Sequence, residues 1–233
     1  MPVVVITGAS QGIGAAIALA FAGEPGVRLA LVARNAEKLE AVARACRAAG
    51  ALAEVFICDV VVDEQVAAMA RAVQTVWGAP DVVVNNAGVF EPGSILETSA
   101  EAFRRQIDVN LTSAFLVTRA FLEPMIRRGN GHLFYMASVA SIRAYAAGAA
   151  YCAAKHGLLG LARSVREETK SHGLRVTALL PGATFTPSWE GVDLPEERFM
   201  PAEDIAQALL DVYRLSDRTV VEELILRPRL GDV

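Results

Sequence analysis

VVVITGASQGIG, residues Val3 to Gly14, is the stretch on which the fold turns. Val3 to Ile6 is a short β-branched run that enters a glycine-rich turn, and an apolar helical segment follows from Ile13 to about Ala22. Strand, turn and helix succeed one another directly. At such a junction a dinucleotide fold brings backbone close to a pyrophosphate. Gly8 supplies the tight turn, Gly12 lets a phosphate meet the exposed amides of the helix N-terminus, and Gly14 lets helix and strand pack closely. The spacing, Gly-x-x-x-Gly-x-Gly, departs from the Gly-x-Gly-x-x-Gly fingerprint, so the placement of the turn carries the reading, against the alternative of a purely structural turn.

The same alternation continues down the chain. Val27 to Ala33 reads as a second buried strand, and Asn35 to Ala49 as a helix with Asn35 as N-cap and Gly50 just past its end. Leu52 to Cys58 is strand-like, Asp63 to Trp77 helical, and Asp81 to Val84 a short strand leading into Asn85-Asn86-Ala87-Gly88. A long helical stretch runs from Ser99 to about Arg128, which Pro124 is expected to bend or shorten. His132 to Met136, Gly148 to Ser171 and Arg175 to Leu180 then read as strand, helix and strand. Pro187 to Pro201 reads as a loop, Ala202 to Leu215 as a final helix and Val220 to Leu226 as a final strand. Nearly continuous apolar strands between helices predict an α/β fold whose mostly parallel sheet is covered on both faces.

The 233 residues suffice for one large domain with a substantial core, and no linker or low-complexity tract divides them. A net charge of -4 and a pI near 5.5 give no basic footprint, which argues against nucleic acid and for a small-molecule partner. Cys46, Cys58 and Cys152 are odd in number and widely spaced, with no Cys-x-x-Cys and no histidine at ligand distance. They support neither a metal site nor a disulfide framework and fit a reducing cytoplasm. Met1 to Gly23 carries no charge but is interrupted by the glycine turn, so we read it as mature structure rather than a signal peptide. No uninterrupted apolar run approaches the ~20 residues of a membrane span.

Chemistry is expected between Ser138 and Lys155. Tyr151 and Lys155 lie four apart and share one face of the predicted helix. An ammonium at ~4 Å, in an effective dielectric of ~20, would favour the phenolate by roughly 4 kcal/mol, about three pKa units. An isolated Tyr-x-x-x-Lys could equally be a core tyrosine followed by a surface lysine. With the glycine turn, Asn85-Asn86-Ala87-Gly88, Asn110, Ser138, Tyr151-x-x-x-Lys155 and Pro181-Gly182 all in order, the sequence resembles the classical short-chain dehydrogenase/reductase family over nearly its whole length.

The resemblance implies a single doubly wound Rossmann-type domain over residues 1–233 with a seven-stranded sheet. Its cofactor half is expected to span about 1–130 and its catalytic half about 131–233. It also implies an NAD(P)-dependent oxidoreductase acting on alcohols and carbonyls, with Asn110, Ser138, Tyr151 and Lys155 as the catalytic four. Ser138 would hold the carbonyl oxygen and Tyr151 protonate the alkoxide. Lys155 would bias Tyr151 and bind the nicotinamide ribose, and Asn110 would hold a water linked to solvent. Gly8, Ser10, Gln11, Gly12, Ile13 and Gly14 correspond to the phosphate turn, and Asn85, Asn86, Ala87 and Gly88 to the adenosine and ribose wall. Asp59 with Val60 would contact adenine. Pro181 and Gly182 precede a threonine, Thr186 or in competition Thr184, that would reach the carboxamide or pyrophosphate.

Ala33 stands where NAD-preferring relatives carry an acid and Arg34 follows it, which favours NADP; Gln11 stands where many NADP users place a base in the turn. Pro187 to Met200 is expected to form a short substrate lid with Trp189 and Phe199 as apolar walls. The function expected first is an NADP-dependent carbonyl reductase or alcohol dehydrogenase. A 3-ketoacyl carrier-protein reductase, docking its carrier on Arg127 and Arg128, is the alternative within enzymes, and a non-catalytic NADP-responsive binding protein the alternative outside them. Family members commonly pair as homodimers or homotetramers. Ala114, Phe115, Val117 and Phe121, with Leu158, Leu159 and Ala162, supply either that interface or core.

Overall fold

The computed structural model describes residues 1–189, 191 and 193–231. Strands β1 (Val3–Thr7), β2 (Arg28–Ala33), β3 (Leu52–Ile57), β4 (Val82–Asn85), β5 (Gly131–Met136), β6 (Leu174–Pro181) and β7 (Glu223–Leu226) form one sheet in the order β3-β2-β1-β4-β5-β6-β7. Every pairing is parallel. Between them run α1 (Gly12–Ala22), α2 (Ala36–Ala48), α3 (Asp63–Trp77), α4 (Ala100–Ile107), α5 (Ser113–Arg128), α6 (Ala149–Thr169) and α7 (Ala202–Arg214).

The alternation of side chains along β1 explains the two-sided core. Val4 and Ile6 pack with Ile17 of α1, Leu39 of α2 and Ile205 of α7. Val3 and Val5 face the other way and pack with Val66 of α3, Val117 of α5 and Leu158 of α6. A central strand buried on both faces has no use for polar alternation, hence its continuous apolar run. Because β1 is flanked by β2 on one side and β4 on the other, the chain reverses its winding direction at the carboxyl ends of β1 and β4. A crevice opens there.

Several expected elements differ in detail. The single helix from Ser99 to Arg128 is α4 and α5 joined through a π-helical turn, Asp108–Thr112. Ser99 caps it by accepting from Ala102 N at 3.1 Å. Pro124 neither ends nor shortens α5. It removes the amide that would bond Ala120 O, and Gln74 Nε2 of α3 donates to that carbonyl at 3.4 Å instead. Asn35 caps α2 as expected, accepting from Lys38 N at 2.9 Å. The 187–201 loop contains two short 3-10 turns, Pro187–Trp189 and Glu196–Arg198; Glu190 and Val192 in the expected lid lie outside the described residues. The last strand is four residues long, beginning at Glu223 rather than Val220.

Of the apolar residues offered as interface or core, Ala114, Val117, Phe121, Leu158, Leu159 and Ala162 are core. Phe115 alone among them is exposed, with the Arg119 guanidinium 5.4 Å from its ring centre. Among the described residues no helix is long and apolar enough to cross a membrane, and no group of three or more His, Cys, Asp or Glu could hold a metal ion.

Candidate active site

A cavity of about 910 Å³ lies along the carboxyl ends of β1 to β6. Of the residues assigned catalytic or cofactor roles from the sequence, all but Asn85 line it, from Gly8 and Arg34 at one end to Ser138 and Tyr151 at the other. The backbone chemistry of the strand ends builds its floor. Thr7 Oγ1 donates to Val84 O at 3.2 Å and accepts from Asn86 N and Ala87 N at 3.0 and 3.1 Å. Asn86 Nδ2 returns a bond to Thr7 O at 2.9 Å, so β1 and β4 are locked together below the crevice. Thr7, unremarkable in sequence, is therefore part of the site. Asn85 is not: its amide turns into the core and donates to Thr118 Oγ1 at 3.1 Å.

The glycine turn is close-packed where side chains would intrude. A Cβ on Gly14 would overlap the Gly8 carbonyl and the Asn86 amide, and one on Gly8 would approach Ala87 Cα to 2.9 Å. Gly12, at φ +56, faces Thr186, whose methyl would lie 3.3 Å from an added Cβ. Thr186 thus stands over the turn, whereas Thr184 is buried and donates to Gly182 O at 3.0 Å. Such a cradle of backbone at the start of α1 fits a pyrophosphate.

At the adenosine end Arg34 is 70% exposed and lies 3.9 Å from Asp59. Asp59 is held by its own turn: its Oδ1 accepts from Val61 N at 3.3 Å, and its amide donates to Gln65 Oε1. Lys38, which the sequence reading passed over, donates from Nζ to Gln11 Oε1 at 2.9 Å. It lies on the first turn of α2, and no local pattern marks it, since its partner is 27 positions earlier in the glycine turn. The turn lacks its own base, yet a cation reaches it from the next helix.

At the catalytic end Ser138 closes β5 and caps a 3-10 turn (Val139–Ser141). Its Oγ accepts from Ala140 N at 3.1 Å and donates to Pro181 O at 3.4 Å. Tyr151 sits in the first turn of α6, and Lys155 one turn on is buried, with Nζ donating to Met136 O at 2.8 Å. The ammonium lies 5.5 Å from the centre of the Tyr151 ring. Burial moves Tyr151 up to about 12, against the effect of the Ser138 hydroxyl, and moves Lys155 down to about 8. This corrects the expected lowering of the phenol. Desolvation dominates at the phenol, and the Lys155 ammonium that was expected to offset it is itself disfavoured by burial.

Asn110 lies in the π turn, almost fully buried. Its Nδ2 donates to Val89 O at 2.9 Å and Gln106 O at 3.0 Å, and its Oδ1 accepts from Val89 N at 3.2 Å. The side chain therefore clamps the segment following β4, and Gly88 leaves room for it, since a Cβ there would lie 2.8 Å from Asn110 Oδ1. Phe90 on the same segment meets the Tyr151 ring edge-on at 5.1 Å and Tyr145 at 6.3 Å. Of the two expected lid walls, Trp189 lines the cavity, while Phe199 is buried behind it with ring centres 4.8 Å apart. Phe90, Arg143 and Tyr145 line the cavity as well and had no motif to announce them.

A family model described as short chain dehydrogenase matches residues 2–196. The chain belongs to the short-chain dehydrogenase family. It is an oxidoreductase of the alcohol and carbonyl type. The sepiapterin reductase of Chlorobaculum tepidum is 37% identical over 99% of this chain and 98% of its own length. The granaticin polyketide synthase putative ketoacyl reductase 1 of Streptomyces violaceoruber is 35% identical over 99% of this chain and 80% of its own. An alcohol dehydrogenase from the archaeon Thermococcus sibiricus, solved with 5-hydroxy-NADP, superposes with a TM-score of 0.93 at 34% identity, covering 100% of this chain and 99% of that one. Fold and reaction type of this short-chain dehydrogenase are thereby fixed.

Proposed function

We propose that the protein is an NADPH-dependent carbonyl reductase, reversible as an alcohol dehydrogenase, for small ketones or aldehydes. The observation that carries this reading is the meeting of Ser138, Tyr151 and Lys155 in the same cavity as the glycine cradle. Gly8 to Gly14 and Thr186 would hold the pyrophosphate, Asn86 to Gly88 and Asp59-Val60 the adenosine side, and Pro181-Gly182 the nicotinamide side. When bound, NADPH supplies the hydride. Ser138 holds the carbonyl oxygen by a hydrogen bond. Tyr151, kept protonated by burial, gives its proton to that oxygen as charge develops on it. Lys155 stands close enough to favour the resulting phenolate, and the N-terminus of α6 acts in the same sense. Asn110 acts on this site by positioning, through its hold on Val89 beside Gly88.

Arg34 and Lys38 support NADP over NAD. Two cations border the place where a 2'-phosphate would rest, Ala33 leaves no acid to repel it, and the Thermococcus sibiricus enzyme carries an NADP derivative. The carrier-protein alternative draws on the likeness to the granaticin enzyme, but its docking residues are spent elsewhere. Arg128 donates to Ala79 O and Pro80 O at 2.7 Å each, and Arg127 pairs with Glu123 at 3.3 Å. Both precede the amino end of β5, at the opposite edge of the sheet from the cavity. The intact acid/base set weighs against a binding protein without turnover.

The test is titration with NADPH and NADH, then a panel of ketones, aldehydes and 3-ketoacyl thioesters. NADPH-preferring reduction of simple carbonyls is the expected result. Thioester-selective turnover would favour the alternative, and tight binding with no turnover would overturn the reading. A homo-oligomer in a cytoplasmic setting accords with the family.

A further inference from the structure

Beyond Ser138 the cavity has walls of its own. Phe90, Tyr145 and Trp189 supply aromatic surface, and Arg143 supplies a charge. The cations that line the cavity differ in how they are engaged. Arg34 faces Asp59, Lys38 donates to Gln11, and Lys155 donates to Met136 O. The Arg143 guanidinium has no hydrogen bond or ion pair among the described residues, although its backbone is fixed by donation to Val139 O at 3.0 Å within the turn that Ser138 caps. Asp59 is the one carboxylate among the described residues lining the cavity, and it stands at the adenosine end. A planar fork of five donors, anchored five positions from the carbonyl-holding serine and bordered by apolar wall, is suited to grip a carboxylate in two-point fashion.

We propose that Arg143 is a specificity-determining residue that holds the carboxylate of an oxo acid, whose flat apolar body lies against Phe90, Tyr145 and Trp189. This rests on the carbonyl-reductase reading. It narrows the substrate from carbonyl compounds at large to anionic ones. The Arg143 side chain is exposed, so salt screens its attraction and the preference weakens as ionic strength rises.

The experiment uses NADPH-saturated protein, in which the 2'-phosphate site is occupied, and three aromatic keto acids, phenylglyoxylate, 3-acetylbenzoate and 4-acetylbenzoate, each beside its methyl ester. For at least one pair kcat/KM is expected to favour the acid. Arg143→Gln is expected to raise KM for that acid about 30-fold while leaving kcat and the ester within about 2-fold; Arg143→Lys restores part of the loss. Equal preference for acid and ester in the wild type, or the same loss for both in Arg143→Gln, would overturn the proposal. If neither member of any pair is reduced, these compounds are not substrates, and the reductase reading is decided by the carbonyl panel above. Arg143 is then judged by acid binding to the NADPH complex, read from the fluorescence of bound NADPH. Acid-selective binding lost in Arg143→Gln upholds the proposal, and indifference overturns it.

Discussion

Burial acts in opposite senses on the two titrating side chains at the catalytic end, raising Tyr151 to about 12 and lowering Lys155 to about 8. The lysine shift has a consequence for the cofactor-free protein. Between pH 8 and 10.5 the unfolded chain binds the proton that the folded chain has released, so this group makes stability rise with pH. Cys46 and Cys58, raised to about 11, act in the opposite sense above pH 9, so the effect is read as a difference. Urea unfolding of the wild type minus Lys155→Met should increase by about 2 kcal/mol from pH 7.5 to 9.5; parallel profiles would contradict the burial account. Arg34 and Lys38 predict a second outcome. Arg34→Ala and Lys38→Ala should each weaken NADPH binding about 10-fold in fluorescence titration and leave NADH unaltered. At this scale the sequence was legible where a residue type is itself the signal, as in Ser138, Tyr151 and Lys155. Thr7 and Lys38 escaped because their contacts depend on chain segments far apart in sequence meeting at strand ends.

The elements were legible where periodicity and caps agree, as in α2, where Asn35 bonds Lys38 N and Gly50 follows the helix. The π turn between α4 and α5 was not, since one extra residue in a helical ladder leaves no mark in the hydrophobic pattern. Asn110 occupies that turn because its amide mimics a strand edge, pairing with both backbone groups of Val89. Asn110→Ala leaves those half-buried groups without their partner. It is expected to cost about 2 kcal/mol in urea unfolding and to lower kcat more than it raises the KM for NADPH. Asn110→Ala stability indistinguishable from wild type would show that the clamp is incidental. Pro124 illustrates the converse error: a helix breaker in sequence is tolerated because Gln74, 50 positions earlier, takes over the orphaned carbonyl.

For the whole molecule, the doubly wound sheet was readable from βα alternation, because a strand buried on both faces must be apolar throughout. The division of apolar helix residues between core and subunit contact was not readable, since both demand the same residue types. What the fold achieves is to place glycine backbone, two cations and the Ser138, Tyr151 and Lys155 side chains along one crevice at the reversal of strand order. The central claim is that this crevice binds NADPH and that Tyr151 transfers the proton, and Tyr151→Phe tests both parts together. Saturating NADPH should raise the thermal midpoint of wild type and variant alike, while carbonyl-dependent NADPH oxidation by the variant falls at least about 10³-fold. A variant that keeps wild-type turnover, or a wild type whose midpoint NADPH does not move, would contradict the account.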